Sequence, residues 1–329
     1  MNVALTTLIL PAGEAATAAA ARALGQGGLV AFPTETVYGL GADATNAAAI
    51  ARLYQAKGRP AFNPLISHVG DLAHARTIGR FDETALKLAH AFWPGPLTLV
   101  LPKTADCAVA ELATAGLETI AIRIPSHPVA RAILDAFGKP VVAPSANLSG
   151  HVSPTTAAHV KSDLEDRIDL IVDGGPVEVG VESTIIGCFE APMLLRPGGL
   201  PREAIEHVLG RRLMQAPADA ESDSGQPLAP GMLASHYAPR TRVRLNAERV
   251  EPGEALLAFG PPVAGAEHAA AVMNLSGRGD LSEAATNLFG YLRALDTRAA
   301  RNIAVMPIPN RGLGEAINDR LRRAAVGRE

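Results

Sequence analysis

The sequence predicts an α/β protein in two parts, a larger mixed α/β unit and a smaller one built on a parallel sheet. Three observations carry that prediction. Short apolar strands and helical stretches alternate in mixed order over roughly the first two hundred residues, a length within the domain range. Ala216 to Gly231 then breaks the pattern, with Ala, Pro, Asp, Ser and Gly and no periodicity, as in a linker. Behind it, β/α alternation resumes on a smaller scale. The domains read as residues 1–210 and 241–329, with a linker over 211–240.

The elements follow in order. Glu14 to Leu24 is an alanine-rich helix ended by Gly25, and Leu29 to Phe32 is a buried strand entering the polar loop Pro33-Thr34-Glu35-Thr36. A helix from about Ala47 to Lys57 takes Asn46 as N-cap, buries Ile50, Leu53 and Tyr54, and stops at Gly58 and Pro60. Thr119 to Pro125 alternates with period two, so Ile120, Ile122 and Ile124 share one face and Thr119, Ala121 and Arg123 the other. Val141 to Ala143 is a strand ending at Pro144 and the loop Ser145-Ala146-Asn147. Asp169 to Val172, Thr184 to Gly187 and Met193 to Leu195 are further short strands. In the second part, strands at Ala255 to Phe259, Ala271 to Leu275 and Asn302 to Met306 alternate with helices near Ser282 to Leu295 and Gly314 to Ala325. Arg278-Gly279-Asp280 looks like an adhesion tripeptide but reads as a loop before a helix.

Composition narrows the function. With 329 residues, 48% hydrophobic and 19% charged, the chain supports sizeable globular cores. A net charge of −3 argues against a general nucleic-acid binder, which needs a strongly basic face. Cys107 and Cys188 have no metal-ligand spacing, so neither a disulfide framework nor a protein metal site is expected, and a reducing cytosol is. The apolar N-terminal stretch meets Pro11 and Glu14 too early for a signal peptide or membrane span, so a soluble cytoplasmic protein is expected.

The polar residues are concentrated. Lys57-Gly58-Arg59-Pro60, Asn63-Pro64-Leu65-Ile66-Ser67-His68 and Ser145-Ala146-Asn147 put two cations, an amide, an imidazole and a Ser/Asn pair between apolar segments. Such a set suits a polyanionic nucleotide beside a small polar substrate, although neither a Gly-x-x-x-x-Gly-Lys-Ser/Thr loop nor a Gly-x-Gly-x-x-Gly turn accompanies it. A helix C-terminus favours a cation by ~0.3–1 kcal/mol, which accounts for Lys57 but not for Arg59 beyond the helix stop. Arg123, on an apolar strand, needs an anionic partner or water; a structural salt bridge and a bound anion both meet that need. His68 reads as a ligand contact or as a satisfied structural histidine. The glycine-proline clusters are turn chemistry, with Arg196 the one functional candidate among them. Glu182-Ser183-Thr184 is either a strand edge or a hydroxyl cluster on a ligand. No arrangement suggests a covalent nucleophile, so an enzyme here works by positioning and electrostatics.

These residues also carry a resemblance. Phe32-Pro33-Thr34-Glu35-Thr36-Val37-Tyr38-Gly39-Leu40-Gly41, Lys57-x-Arg59, Ser145-x-Asn147 and Glu182-Ser183-Thr184 together resemble the YrdC-like domain. Pro230-Gly231-Met232 and His236-Tyr237-Ala238-Pro239 resemble the linker of its long form, and Gly312-Leu313-Gly314-Glu315-Ala316-Ile317-Asn318-Asp319-Arg320 its C-terminal domain. The chain thus resembles the long-form threonylcarbamoyl-AMP synthase family over nearly its whole length. The resemblance implies a YrdC-like twisted mixed sheet with helices, joined by a linker to a small Rossmann-like parallel α/β domain. It implies that L-threonine, bicarbonate or CO2, and ATP give threonylcarbamoyl-AMP and pyrophosphate, with Mg2+ accompanying ATP. The product would pass to separate proteins that modify position 37 of tRNA, with no stable tRNA binding and no membrane partner.

Position by position, the resemblance assigns Thr36, His68, Arg123, Ala143 (by its backbone) and Ser183 to threonine or its carbamate. It assigns Arg59, Asn63, Thr119, Ser145, Ser153, Arg196 and Tyr237 to ATP, with Asn147 completing the amide lining and Lys57 joining Arg59 as catalytic cations. The segment ending in His236-Tyr237 is expected to fold back across the cleft as a gate, with Tyr237 on the nucleotide; simple packing of the linker is its other reading. The family's linker has basic residues before its His-Tyr-Ala-Pro, whereas this chain has Leu233-Ala234-Ser235. Two rival classes stand beside this reading. One is a double-stranded RNA-binding module, which the net charge opposes. The other is a carbamoyl-transfer maturation factor, whose Cys-x-x-Cys zinc modules two isolated cysteines cannot supply.

Overall fold

In the computed structural model, which describes residues 6–215, 237–298 and 300–326, one mixed sheet organises the first part of the chain. Its strands lie in the order Leu8–Pro11, Leu170–Asp173, Val30–Pro33, Tyr38–Asp43, Val141–Val142, Ile66–His68, Thr119–Arg123, Leu97–Pro102, Thr184–Cys188, Pro192–Arg196 and Met214–Gln215. Ile66–His68 runs parallel to Thr119–Arg123 and antiparallel to Val141–Val142. That register sets His68 opposite both Arg123 and Val141, which brings residues far apart in sequence to one place. Apolar clusters cover both faces: Leu53, Leu88 and Ile186 belong to one, and Ala20, Ile133 and Val172 to the other. Burial on both faces explains why so many strands are short apolar runs.

Local signals place the helix that leads into the polar loop. The Asn46 side chain accepts from the Ala48 and Ala49 amides, and Gly58, at φ 59°, closes helix Ala47–Lys57 in the left-handed region. Strands beyond those read from the sequence include Leu97–Pro102 and Tyr38–Asp43. In the latter, Gly41 is needed because a Cβ there would stand 2.7 Å from the Phe32 ring. Helices Glu83–Phe92 and Pro128–Phe137 are likewise additions to the elements read from the sequence. The sheet continues to Gln215, inside the stretch read as linker, while Ala216 to Gly231 lies outside the described residues.

The second part is a four-stranded parallel sheet in the order Arg242–Arg244, Asn302–Val305, Ala255–Ala258, Val272–Asn274, with helices Leu281–Asp296 and Leu313–Ala325 packed together. Asp280 caps the first of these by accepting from Ser282 and Glu283, so Arg278-Gly279-Asp280 is the loop before a helix. The two domains share a core: Val37, Val152 and Val181 pack with Phe289, Ile317 and Leu321. Gly180, at φ 79°, permits the closest approach, since a Cβ there would lie 2.3 Å from the Ala285 carbonyl oxygen. Thr286 Oγ1 donates to Glu178 O at 2.6 Å beside it. Among the described residues, no helix is long and apolar enough to cross a membrane.

Candidate active site

One cavity, with about 560 Å3 of empty space, gathers side chains from the Thr34–Val37 loop, strands Ile66–His68 and Thr119–Arg123, the 143–145 segment, the 182–183 loop and Tyr237. Thr36, Arg59, His68, Arg123, Ala143, Ser145, Ser183, Arg196 and Tyr237 line it together. Lys57, Asn63, Thr119, Asn147 and Ser153 do not line it.

Arg123 answers its charge within the fold. Nη1 donates to Thr36 Oγ1 at 2.9 Å, Nε to Gly95 O at 3.3 Å, and Nη2 stands 2.8 Å from Glu35 Oε1. The structural salt bridge is therefore real. Burial acts to raise the Glu35 pKa, but the Arg123 charge, with the Ser126 amide at 3.1 Å, holds it below the ordinary carboxylate value. Burial, and then the Arg123 charge, push the His68 pKa down to about 3. The imidazole is neutral, and Nδ1, 3.2 Å from Ile66 O, donates there, which makes Nε2 the acceptor. Two hydroxyl pairs are formed here: Thr34 with Thr36, and Ser183 with Thr98, each at 2.8 Å.

The remaining guanidinium groups of the lining are Arg59 and Arg196. Arg59 donates from Nη2 to Pro64 O at 3.0 Å and from Nε to Asn63 O at 3.4 Å, and burial lowers its pKa to about 10, still cationic at neutral pH. Arg196 reaches Ser183 O from Nε at 3.2 Å and from Nη2 at 3.0 Å. Lys57 instead donates to the carbonyls of Ser145 (2.6 Å) and Asn147, and so ties the helix end to that loop. Its burial takes the ammonium pKa well below the ordinary value. Asn147 Nδ2 donates to Leu148 O and His151 O, Ser153 Oγ donates to Glu182 Oε1 at 2.5 Å, and Asn63 and Asn147 each keep a buried Oδ1 without a partner. Thr119 is half-buried at the start of its strand, on the face that carries Arg123. Tyr237, 1% exposed, stacks on Phe289 with ring centres 5.6 Å apart while lining the cavity, so packing and site contact coexist.

The sequence reading places Glu35, Glu182 and Arg320 in its motifs without giving any of them a role of its own. A charged residue in a polar motif shows neither its burial nor its partner, and the structure buries all three. Arg59, Arg123 and Arg196 are 9%, 4% and 4% exposed, so these three guanidinium groups belong to an enclosed site rather than to an open basic face.

Residues 22–198 match the family described as Telomere recombination (Sua5_yciO_yrdC), and residues 200–326 the one described as Threonylcarbamoyl-AMP synthase, C-terminal domain. The threonylcarbamoyl-AMP synthase of Bacillus subtilis is 43% identical over 94% of this chain and 93% of its own length. That of Pyrococcus abyssi is 43% identical over 91% of each. The crystal structure of P. abyssi Sua5 complexed with L-threonine is similar at a TM-score of 0.87 with 38% identity, covering 98% of both chains. E. coli YciO, at a TM-score of 0.53 and 26% identity, covers 59% of this chain and 96% of its own, a likeness to about the length of one domain. The cavity's residues, both matched domains in order and similarity along the whole chain lead to one conclusion: the chain belongs to the Sua5–YrdC family, in the two-domain form with the threonylcarbamoyl-AMP synthase C-terminal domain.

Proposed function

We propose that the protein is a threonylcarbamoyl-AMP synthase that joins L-threonine, CO2 from bicarbonate, and ATP. The observation that carries this reading is a single cavity combining the hydroxyls of Thr34, Thr36 and Ser183, Arg123 and neutral His68 with buried Arg59 and Arg196. The threonine amine adds to CO2 and loses a proton to give a carbamate. A carbamate oxygen then attacks the α-phosphorus, the bond to the bridging oxygen breaks, and pyrophosphate leaves.

Arg123 presents a planar fork to the amino-acid carboxylate, with Thr36, His68, the Ala143 backbone and Ser183 around the rest of threonine. Arg59 and Arg196 face the phosphates, where preorganised cations lower the barrier most as charge shifts to the leaving group. Asn63, Thr119, Ser145, Asn147, Ser153 and Tyr237 complete the nucleotide side, and Lys57 acts there through the Ser145 and Asn147 carbonyls. Mg2+ enters as the ion carried by ATP. Phosphate oxygens and water would hold it, since among the described residues no three acidic, cysteine or histidine side chains stand together so as to hold a metal ion. The product passes, in the cytoplasm, to separate tRNA-modifying proteins.

Pyrophosphate release with ATP and bicarbonate, across a panel of amino acids, tests the reading. Threonine should exceed valine by a large factor, because valine strands buried polar partners, and serine should lose about 1–3 kcal/mol for the missing methyl. Equal turnover of valine and threonine would place the amino-acid pocket elsewhere. Salt-dependent binding of arbitrary RNA with no pyrophosphate release would refute the synthase.

A further inference from the structure

Arg320 is buried to 0% exposure on helix Leu313–Ala325 of the second domain. It lies four residues from buried Ala316 and Ala324, on the helix stripe where packing alone asks for a hydrophobe. Its Nε donates to Glu182 Oε2 at 2.8 Å, its Nη1 to Asp319 Oδ2 at 2.6 Å, and its guanidinium carbon stands 5.1 Å from the centre of the Tyr237 ring. The second Glu182 oxygen accepts from Ser153 Oγ at 2.5 Å. Glu182 and Tyr237 line the cavity, whereas Arg320 does not. A buried ion pair is a poor way to gain stability over well-packed apolar residues, so a charge retained here points to what it orders.

We propose that Arg320 is a positioning residue of the site, through which the second domain builds the nucleotide side of the cavity. It engages one oxygen of Glu182 so that the other holds Ser153, and it supports the Tyr237 ring from behind by a cation–π contact. Without it, Glu182 becomes an unpaired buried carboxylate beside the cations that line the cavity, and competes with phosphates for them. The inference rests on the proposed adenylylation for its kinetics, but not for its binding measurement.

The test uses the full chain with Arg320→Met, Arg320→Lys, Glu182→Gln and the Arg320→Met/Glu182→Gln pair. ATP binding is followed by calorimetry, steady-state constants by pyrophosphate release, and folding by thermal unfolding. Lack of threonine-dependent turnover by the unsubstituted protein counts against the reaction alone, since ATP binding still reports on Arg320. Arg320→Met should weaken ATP binding and raise the KM for ATP roughly tenfold, within the range for members of one network, with the KM for threonine held within about twofold. Arg320→Lys should lie between, because a point charge cannot serve Glu182 and Asp319 and face the ring together. The double variant should lose less than the sum of its parts, because a neutral amide in place of the Glu182 carboxylate no longer attracts the cavity cations. Unchanged ATP constants in folded variants, equal losses for both substrates, additive effects, or failure of both Arg320 variants to fold would assign Arg320 to the fold alone and overturn the proposal.

Discussion

Glu35→Gln removes one charge from a buried pair while keeping its shape, and the consequence can be sized. Glu35 and Arg123 have side chains 6% and 4% exposed with 2.8 Å between Oε1 and Nη2, so water cannot replace the lost carboxylate. Breaking a buried pair on one side costs ~3–5 kcal/mol. At ~2–4 °C per kcal/mol for a domain of roughly two hundred residues, Tm should fall by about 6–20 °C at neutral pH. The pH dependence has a definite sign. The folded pKa of Glu35 is depressed, so its contribution is complete above the unfolded value, about 4.3, and is lost as pH falls through the lower folded value. The glutamine variant has no such group to protonate, so the two Tm curves should converge in acid. Calorimetric unfolding of both proteins across pH measures this directly. A variant Tm within about 2 °C of the unsubstituted protein at neutral pH would refute the reasoning, because it would mean that Arg123 is solvated.

Further outcomes follow from the same geometry. Arg59→Ala should lower pyrophosphate release by orders of magnitude and Arg59→Lys substantially, since a point charge cannot replace a fork held by the Asn63 and Pro64 carbonyls; near-normal release from both sinks the assignment. Losing those two bonds should also cost ~0.5–1.5 kcal/mol each, visible as a modest drop in Tm. The His68 ring, with a pKa of about 3, should show no protonation by NMR between neutral pH and about pH 5, and a midpoint near the ordinary 6.5 would contradict its burial. Tyr237→Ala should weaken ATP binding and, because the ring is buried against Phe289, also destabilise the protein by ~3–5 kcal/mol. Normal ATP affinity and unchanged unfolding would remove Tyr237 from the site.

Features that depend on near neighbours along the chain are legible before any folding is considered. The alternation of Thr119 to Arg123, the Asn46 cap and the Gly58 stop are set by backbone geometry within a few residues, and the structure has all three. The motifs likewise marked Thr36, Arg59, Arg123, Ser183, Arg196 and Tyr237, which the fold brings to one cavity. Strand Tyr38–Asp43 stayed hidden because its glycines answer close approaches across the sheet, Gly41 to the Phe32 ring and Gly39 to the Ala143 side chain, not strand propensity. Charge partners were hidden for a deeper reason. Arg123 needed an anion, but only the register of the sheet delivers Glu35 from 88 positions away, and Glu182 finds Arg320 across 138 positions and a domain boundary. Coulomb attraction and desolvation act on distance in space, and which buried charges stand within 3 Å of one another is decided only when the chain is folded.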